Sequence, residues 1–170
     1  RGLLPSCRAT IDLKLCSEDW CMELIRGVRP MTARDIEAVT GLEQVCFSEK
    51  WSEGLLRSGL DSRLDTYFVY EDHGQVLGYS IIRILADEGE IQRIAVLPGY
   101  RRQGIARKLM DAMVTFSRAR GVRSIALEVR EGNTGARKLY ESYGFRQEAV
   151  RKGYYHNPAE DAIIMWNRAI

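Results

Sequence analysis

From Leu24 onward the chain carries regular hydrophobic and polar patterns. Residues 23–30 alternate Leu24, Arg26 and Val28 against Ile25, Gly27 and Arg29, predicting a first strand stopped by Pro30. Thr32, with Asp35 three residues on, predicts a capped helix whose Ile36, Val39, Leu42 and Val45 form the apolar stripe. Ser52 caps a shorter helix with Leu55, Leu56 and Leu60 on its stripe. Residues 66–71 are β-branched and aromatic, and the turn Asp72-His73-Gly74 joins them to a strand over 75–85. A further strand follows over 88–96, so the first half reads as an antiparallel meander.

The second half changes period. Residues 105–120 place Ile105, Leu109, Met113 and Phe116 on one helical face, with Gly121 as the stop. A short apolar strand over 124–129 follows, then a helix over 133–143 with Ala136, Leu139, Tyr140 and Tyr143 on one face, ended by Gly144. A hairpin over 145–155 and 161–167 closes the chain. A meander followed by strand, helix, strand, helix predicts a mixed α/β domain with a mostly antiparallel sheet, flanking helices and one parallel strand pair forced by the crossover.

Composition narrows the function without naming it. The 170 residues suit one domain, with 45% hydrophobic and 28% charged residues. A net charge of +2 speaks against a dedicated nucleic-acid binder, and no apolar run reaches the ~18 residues of a membrane span. Three of the four cysteines, Cys7, Cys16 and Cys21, lie near the start, which fits a reducing cytoplasm better than a secreted disulfide scaffold. Pro5, Lys14 and Glu18-Asp19 interrupt any signal-peptide core. Residues 1–23 therefore read as an appendage, with Met22 as a natural start, and 24–170 as the working domain. Nothing in the pattern sets an oligomeric state.

The most informative stretch is Arg101-Arg102-Gln103-Gly104-Ile105-Ala106, between a strand and a helix. Gly104 admits a ligand close to the backbone, Ala106 leaves the first helical turn uncluttered, and the open N–H groups there favour a phosphate, with Arg101 and Arg102 reinforcing them. The bland alternative is a basic loop that merely caps a helix. The Gly-Lys-Ser/Thr ending of a P-loop and the glycine pattern of a dinucleotide fold are both missing.

Glu128 stands opposite Ile125, Leu127 and Val129 on its strand, either as a cleft carboxylate suited to general-base work or as a charge turned to solvent. Tyr140 is either a core tyrosine or a proton donor, and Asn133 either an N-cap or a ligand to a cofactor. Glu90 is a second acidic candidate whose simpler account is a solvated strand edge. His73 and His156 lack partners at ligand spacing, so no metal is assigned. No Ser-His-Asp or Cys-His arrangement is present in the pattern.

Together these segments resemble the GNAT superfamily of acetyl-CoA-dependent N-acetyltransferases, with residues 94–106 similar to its acetyl-CoA motif. Trp51-Ser52-Glu53, the Leu127–Arg130 and Leu139–Ser142 stretches, Gly144-Phe145, Tyr154-Tyr155 and residues 160–165 are similar to the RimI branch, the ribosomal-protein-alanine N-acetyltransferases. The resemblance implies that the backbone at Ile94, Ala95 and Val96 pairs with the pantetheine arm of acetyl-CoA. It implies that Arg102, Gln103, Gly104, Ile105, Ala106 and Arg107 hold the pyrophosphate, and that Asn133 also contacts the cofactor. It makes Glu128 the general base, directly or through a water, and Tyr140 the general acid. The implied partner is a protein N-terminus, the alanine of a small-subunit ribosomal protein. Rival readings are a small amine or lysine acceptor, or a regulatory module that binds an acyl-CoA without turning it over. Ala106 departs from the glycine common at that place in relatives.

Overall fold

The computed structural model describes residues 25–170; the appendage, with Cys7, Cys16 and Cys21, lies outside the described residues. A seven-stranded sheet runs in the order β1-β2-β3-β4-β5-β7-β6. Its strands are β1 (Val28–Pro30), β2 (Asp65–Asp72), β3 (Gln75–Leu85), β4 (Glu88–Val96), β5 (Ser124–Arg130), β6 (Arg146–His156) and β7 (Ala159–Asn167). The helices are α1 (Ile36–Cys46), α2 (Glu53–Leu60), α3 (Ile105–Ala119) and α4 (Thr134–Ser142). Among the described strands only β4 and β5 run parallel, because α3 carries the chain across the sheet between them. No described helix is long and apolar enough to cross a membrane.

Both faces of the central strands are covered, which is why β2 and β3 are apolar along most of their length. On one face Leu109, Met110 and Met113 of α3 pack on Phe68, Ile82, Ile91, Ile125 and Leu127. On the other, Ile36, Val39 and Leu42 of α1 and Leu56 of α2 pack on Tyr67, Val69, Tyr79 and Ile81. Alternation along a strand sends Phe68 to one layer and its neighbours Tyr67 and Val69 to the other.

The ends of the elements follow local chemistry. The Thr32–Asp35 capping box forms, and a 3₁₀ turn at Ala33–Asp35 leads into α1. The Ser52 side chain accepts the Leu55 N–H at 3.2 Å and starts α2. Three sequence expectations need correcting, one being Leu55, which lies off the buried stripe of α2 and is exposed. Within the described residues the first strand is only Val28–Pro30, since Gly27 takes a left-handed conformation at φ 91° just before it. Val45 is exposed, whereas Glu43 is completely buried. A 3.6-residue repeat set by Ile36 and Val39 turns position 43 inward and position 45 outward, whatever their polarity.

Candidate active site

The site begins where the sheet comes apart. β4 and β5 pair only from Glu88↔Ser124 to Ile91↔Leu127. Directly after Ile91 the β3–β4 register jumps, with Ile82 opposite Ile91 but Ile81 opposite Arg93, so Gln92 is an extra residue. Such a bulge bends and twists its strand. Beyond it β4 stays with β3 and β5 with β7, and a gap opens inside the sheet. The Leu97 N–H donates to the Leu77 C=O on β3 at 2.9 Å. Alternation then faces the polar backbone of Ala95 to β3 and that of Ile94 and Val96 to the gap. An open strand edge is a template for an extended ligand.

A cleft of about 360 Å³ occupies this gap. Ile94, Ala95 and Val96 form one wall, Gly135, Ala136, Leu139 and Tyr140 of α4 another, and the loop entering α3 closes one end. In that loop Arg102 (φ 61°) and Gly104 (φ 82°) are both left-handed. Gly104 is the N-cap of the fifteen-residue α3 and offers no side-chain acceptor, leaving the first-turn N–H groups to a ligand. Arg102, Gly104, Ile105, Ala106 and Arg107 line this end. Gln103 does not line it; its Nε2 donates to the Gly99 C=O at 3.4 Å within the loop.

Arg101 departs from expectation. It lines the first cleft along with Arg102, but its Nε donates to the Val96 C=O at 3.1 Å, with Nη2 3.9 Å from Cys46 Sγ. Asn133 caps α4, its side-chain oxygen accepting the Ala136 N–H at 3.2 Å. It does not line the cleft, although Gly135 and Ala136 just beyond it do.

A second cleft of about 480 Å³ meets the first at Phe47, Ile94 and Tyr140. One side is the loop from Phe47 to Trp51, and the other is Tyr154-Tyr155 of β6. Glu128 and the exposed Glu90 both line it. Ile125, Leu127 and Val129 point into the α3 layer, so Glu128 faces the opposite side, a quarter exposed and 2.7 Å from Arg151. The Tyr154 hydroxyl donates to Glu128, an interaction that pushes the Tyr154 phenol up. Tyr140 is buried except where it meets the clefts, and burial pushes its phenol well above the ordinary value. Among the described residues nothing hydrogen-bonds to the Tyr140 hydroxyl.

The two loops flanking the second cleft also touch. Arg130 donates to Ser48 Oγ at 2.9 Å and to the Asn157 C=O at 3.2 Å, with its guanidinium 4.0 Å from the Tyr155 ring centre. The His156 N–H donates to Glu49 at 3.3 Å. Phe47, Glu49 and Arg93 were not singled out from sequence, because nothing local to residues 47–49 or 93 distinguishes a cleft wall from a surface loop.

Comparison with known proteins fits this geometry. The family model described as the acetyltransferase (GNAT) family matches residues 36–145. A ribosomal protein bS18-alanine N-acetyltransferase from Haemophilus ducreyi is 33% identical over 141 residues, covering 81% of this chain and 97% of that one. The crystal structure of the ribosomal-protein-S18-alanine N-acetyltransferase from Escherichia coli superposes with a TM-score of 0.77 at 32% identity, covering 84% of this chain and 94% of that chain. Ard1 from Thermoplasma volcanium superposes with a TM-score of 0.78 at 29% identity, covering 84% and 97% respectively. Acetyltransferases of this family use acetyl-CoA. With a matching family model over well over half its length and relatives aligned nearly end to end, this chain belongs to the acetyltransferase (GNAT) family and is an N-acetyltransferase.

Proposed function

We propose that this protein transfers the acetyl group of acetyl-CoA to the α-amino group of a protein N-terminus, with an N-terminal alanine of a small-subunit ribosomal protein as acceptor. The observation that carries the reading is the meeting of two clefts at Tyr140, one ending in an anion-binding helix start and the other holding Glu128. The named activities of the Haemophilus and Escherichia relatives support the choice of acceptor. A ribosomal acceptor places the reaction in the cytoplasm, and residues 24–170 form the catalytic domain in this reading.

In this reading the pyrophosphate lies on the open N–H groups at the start of α3, beside Arg102 and Arg107, and the pantetheine arm pairs with the free edge of β4 at Ile94 and Val96. That pairing displaces Arg101 from the Val96 C=O. The acceptor enters between the Phe47–Trp51 loop and Tyr154-Tyr155. Its ammonium, with a pKa of ~7.7–8.0, must lose a proton before it can attack. Glu128 takes that proton, directly or through a water, drawing its carboxylate from Arg151 as it does so. The amine nitrogen then bonds to the thioester carbon, and an N–H on the free β4 edge steadies the oxyanion. As the tetrahedral carbon collapses the C–S bond breaks, Tyr140 gives its proton to the departing sulfur, and the second proton leaving the nitrogen restores the phenol. Burial keeps the Tyr140 phenol protonated, so it yields that proton only as charge gathers on sulfur.

The direct test is to incubate the protein with acetyl-CoA and a panel of an Ala-starting peptide, its N-terminally blocked lysine-containing counterpart and small amines, locating the label by mass spectrometry. Acetylation of the peptide α-amine is expected. Modification confined to lysine or small amines would overturn the choice of acceptor, and CoA release with no acceptor modified would overturn the reaction.

A further inference from the structure

Glu43 is a fully buried carboxylate that the proposed chemistry leaves unused. A carboxylate is kept in an interior only by close partners. Here two of the three partners among the described residues lead to the same loop, and the third, Tyr79, anchors the carboxylate to β3. Glu43 Oε2 accepts the Trp51 N–H at 2.7 Å, its other oxygen accepts the Tyr79 hydroxyl, and Arg93 Nε lies 3.7 Å away.

Arg93 extends the connection. Its Nη2 donates to the Glu49 C=O at 2.8 Å, and its guanidinium lies 4.1 Å from the Phe47 ring centre and 4.8 Å from that of Trp51. The segment between α1 and α2 has no helix or strand of its own to hold it. One carboxylate and one guanidinium thus tie Phe47, Glu49 and Trp51 to the rigid β3–β4 pair. The Gln92 bulge is part of the device. By resetting the alternation it places Arg93 with Ala95 on the α1 face, while Ile91 and Ile94 pack toward α3.

We propose that Glu43 is a positioning residue for the acceptor: acting through Trp51 and Arg93, it holds the Phe47–Trp51 wall of the second cleft at the spacing that grips the incoming amine, without itself touching substrate. The proposal rests on the reading of that cleft as the acceptor site. The network reaches the acceptor wall and leaves the helix start at Gly104 untouched; of the loop residues it holds, Phe47 alone also lines the first cleft.

The test compares the full chain with Glu43→Gln, which retains an acceptor for the Trp51 N–H but loses the charge facing Arg93, and with Arg93→Lys, which retains the charge but loses the planar fork. In both variants KM for an Ala-starting peptide should rise about fivefold or more, while KM for acetyl-CoA stays within about twofold and kcat within about threefold. Glu43→Ala should be worse than Glu43→Gln in the same direction. Hydrogen exchange of the unliganded protein should quicken in residues 47–52 and stay unchanged at the start of α3. Equal changes in both KM values, no change in either, or faster exchange throughout the domain would mark the network as a purely structural support and overturn the proposal. A parent protein that acetylates no peptide would overturn the acceptor reading and this proposal with it; an active parent whose variants keep the peptide KM sinks this proposal alone.

Discussion

The guanidinium of Arg151 lies 2.7 Å from the carboxylate of Glu128, so the proposed base is held by a cation from the neighbouring hairpin. Arg151 lines a neighbouring pocket and not the second cleft, so the pair must part as the carboxylate takes a proton there. Glu128→Gln should lower kcat about 100-fold or more, the scale of a lost general base. Arg151→Ala alone should cost several-fold. Because Arg151 acts through Glu128, the double variant should be little worse than Glu128→Gln, a non-additivity readable in a thiol-release assay of CoA.

Tyr140 gives a second expectation. Tyr140→Phe removes one oxygen and keeps the ring, which packs 6.0 Å from Phe145. A general acid lost this way should lower kcat by about 100-fold, with KM for acetyl-CoA little changed. If the hydroxyl only filled space, kcat would stay near that of the parent while the melting temperature moved slightly.

Gly104 tests the anion site. A Cβ there would meet no atom within 4 Å, so the cost of Gly104→Ala is the left-handed backbone at φ 82° alone. That cost is about 1–2 kcal/mol, shared between lower stability and a re-formed loop. Affinity for CoA, measured by titration calorimetry, should fall much more than affinity for the acceptor peptide. A loss of peptide affinity alone would contradict the assignment.

Stability should depend on pH through Asp35. Its carboxylate accepts from both Nη atoms of Arg29 at 2.8 Å and from the Thr32 backbone N–H, which together lower its pKa from 3.8 to about 2. A lowered carboxylate stabilises the fold above its unfolded pKa, and that stability is lost as pH falls through its folded value. The contribution is about 1–2 kcal/mol at neutral pH, allowing for the partly exposed Arg29. Asp35→Asn should therefore be less stable than the parent in urea unfolding at pH 7. The difference should shrink between pH 4 and pH 2. A difference that persists unchanged at pH 2 would assign the effect to packing.

What the sequence alone determined are the features whose causes are local. The α3 stripe at Leu109 and Met113, the Ser52 cap and the turn at His73-Gly74 depend on near neighbours, and each element lies within a few residues of its expected place. The loop before α3 was legible for the same reason, since a glycine at a helix start exposes N–H groups wherever it occurs. The crossover between β4 and β5 also follows from element order, and with it the single parallel pair.

Tertiary structure decided everything that depends on groups far apart in the chain. Whether Gln92 is a bulge is settled by its register against Ile81 and Ile82, and that bulge opens the gap in the sheet. Arg101 turns to the Val96 C=O because the bend of the loop brings them together, which charge counting does not reveal. Glu128 faces a cleft because β4 has left β5 and the Phe47–Trp51 loop and Tyr154-Tyr155 enclose the space. The helix repeat turns Glu43 inward, but what satisfies a charge there is decided by Tyr79, Arg93 and Trp51 closing around it. A carboxylate is acceptable in the interior only where distant residues satisfy it, so the helix sets the direction of Glu43 and the fold alone makes its burial tolerable.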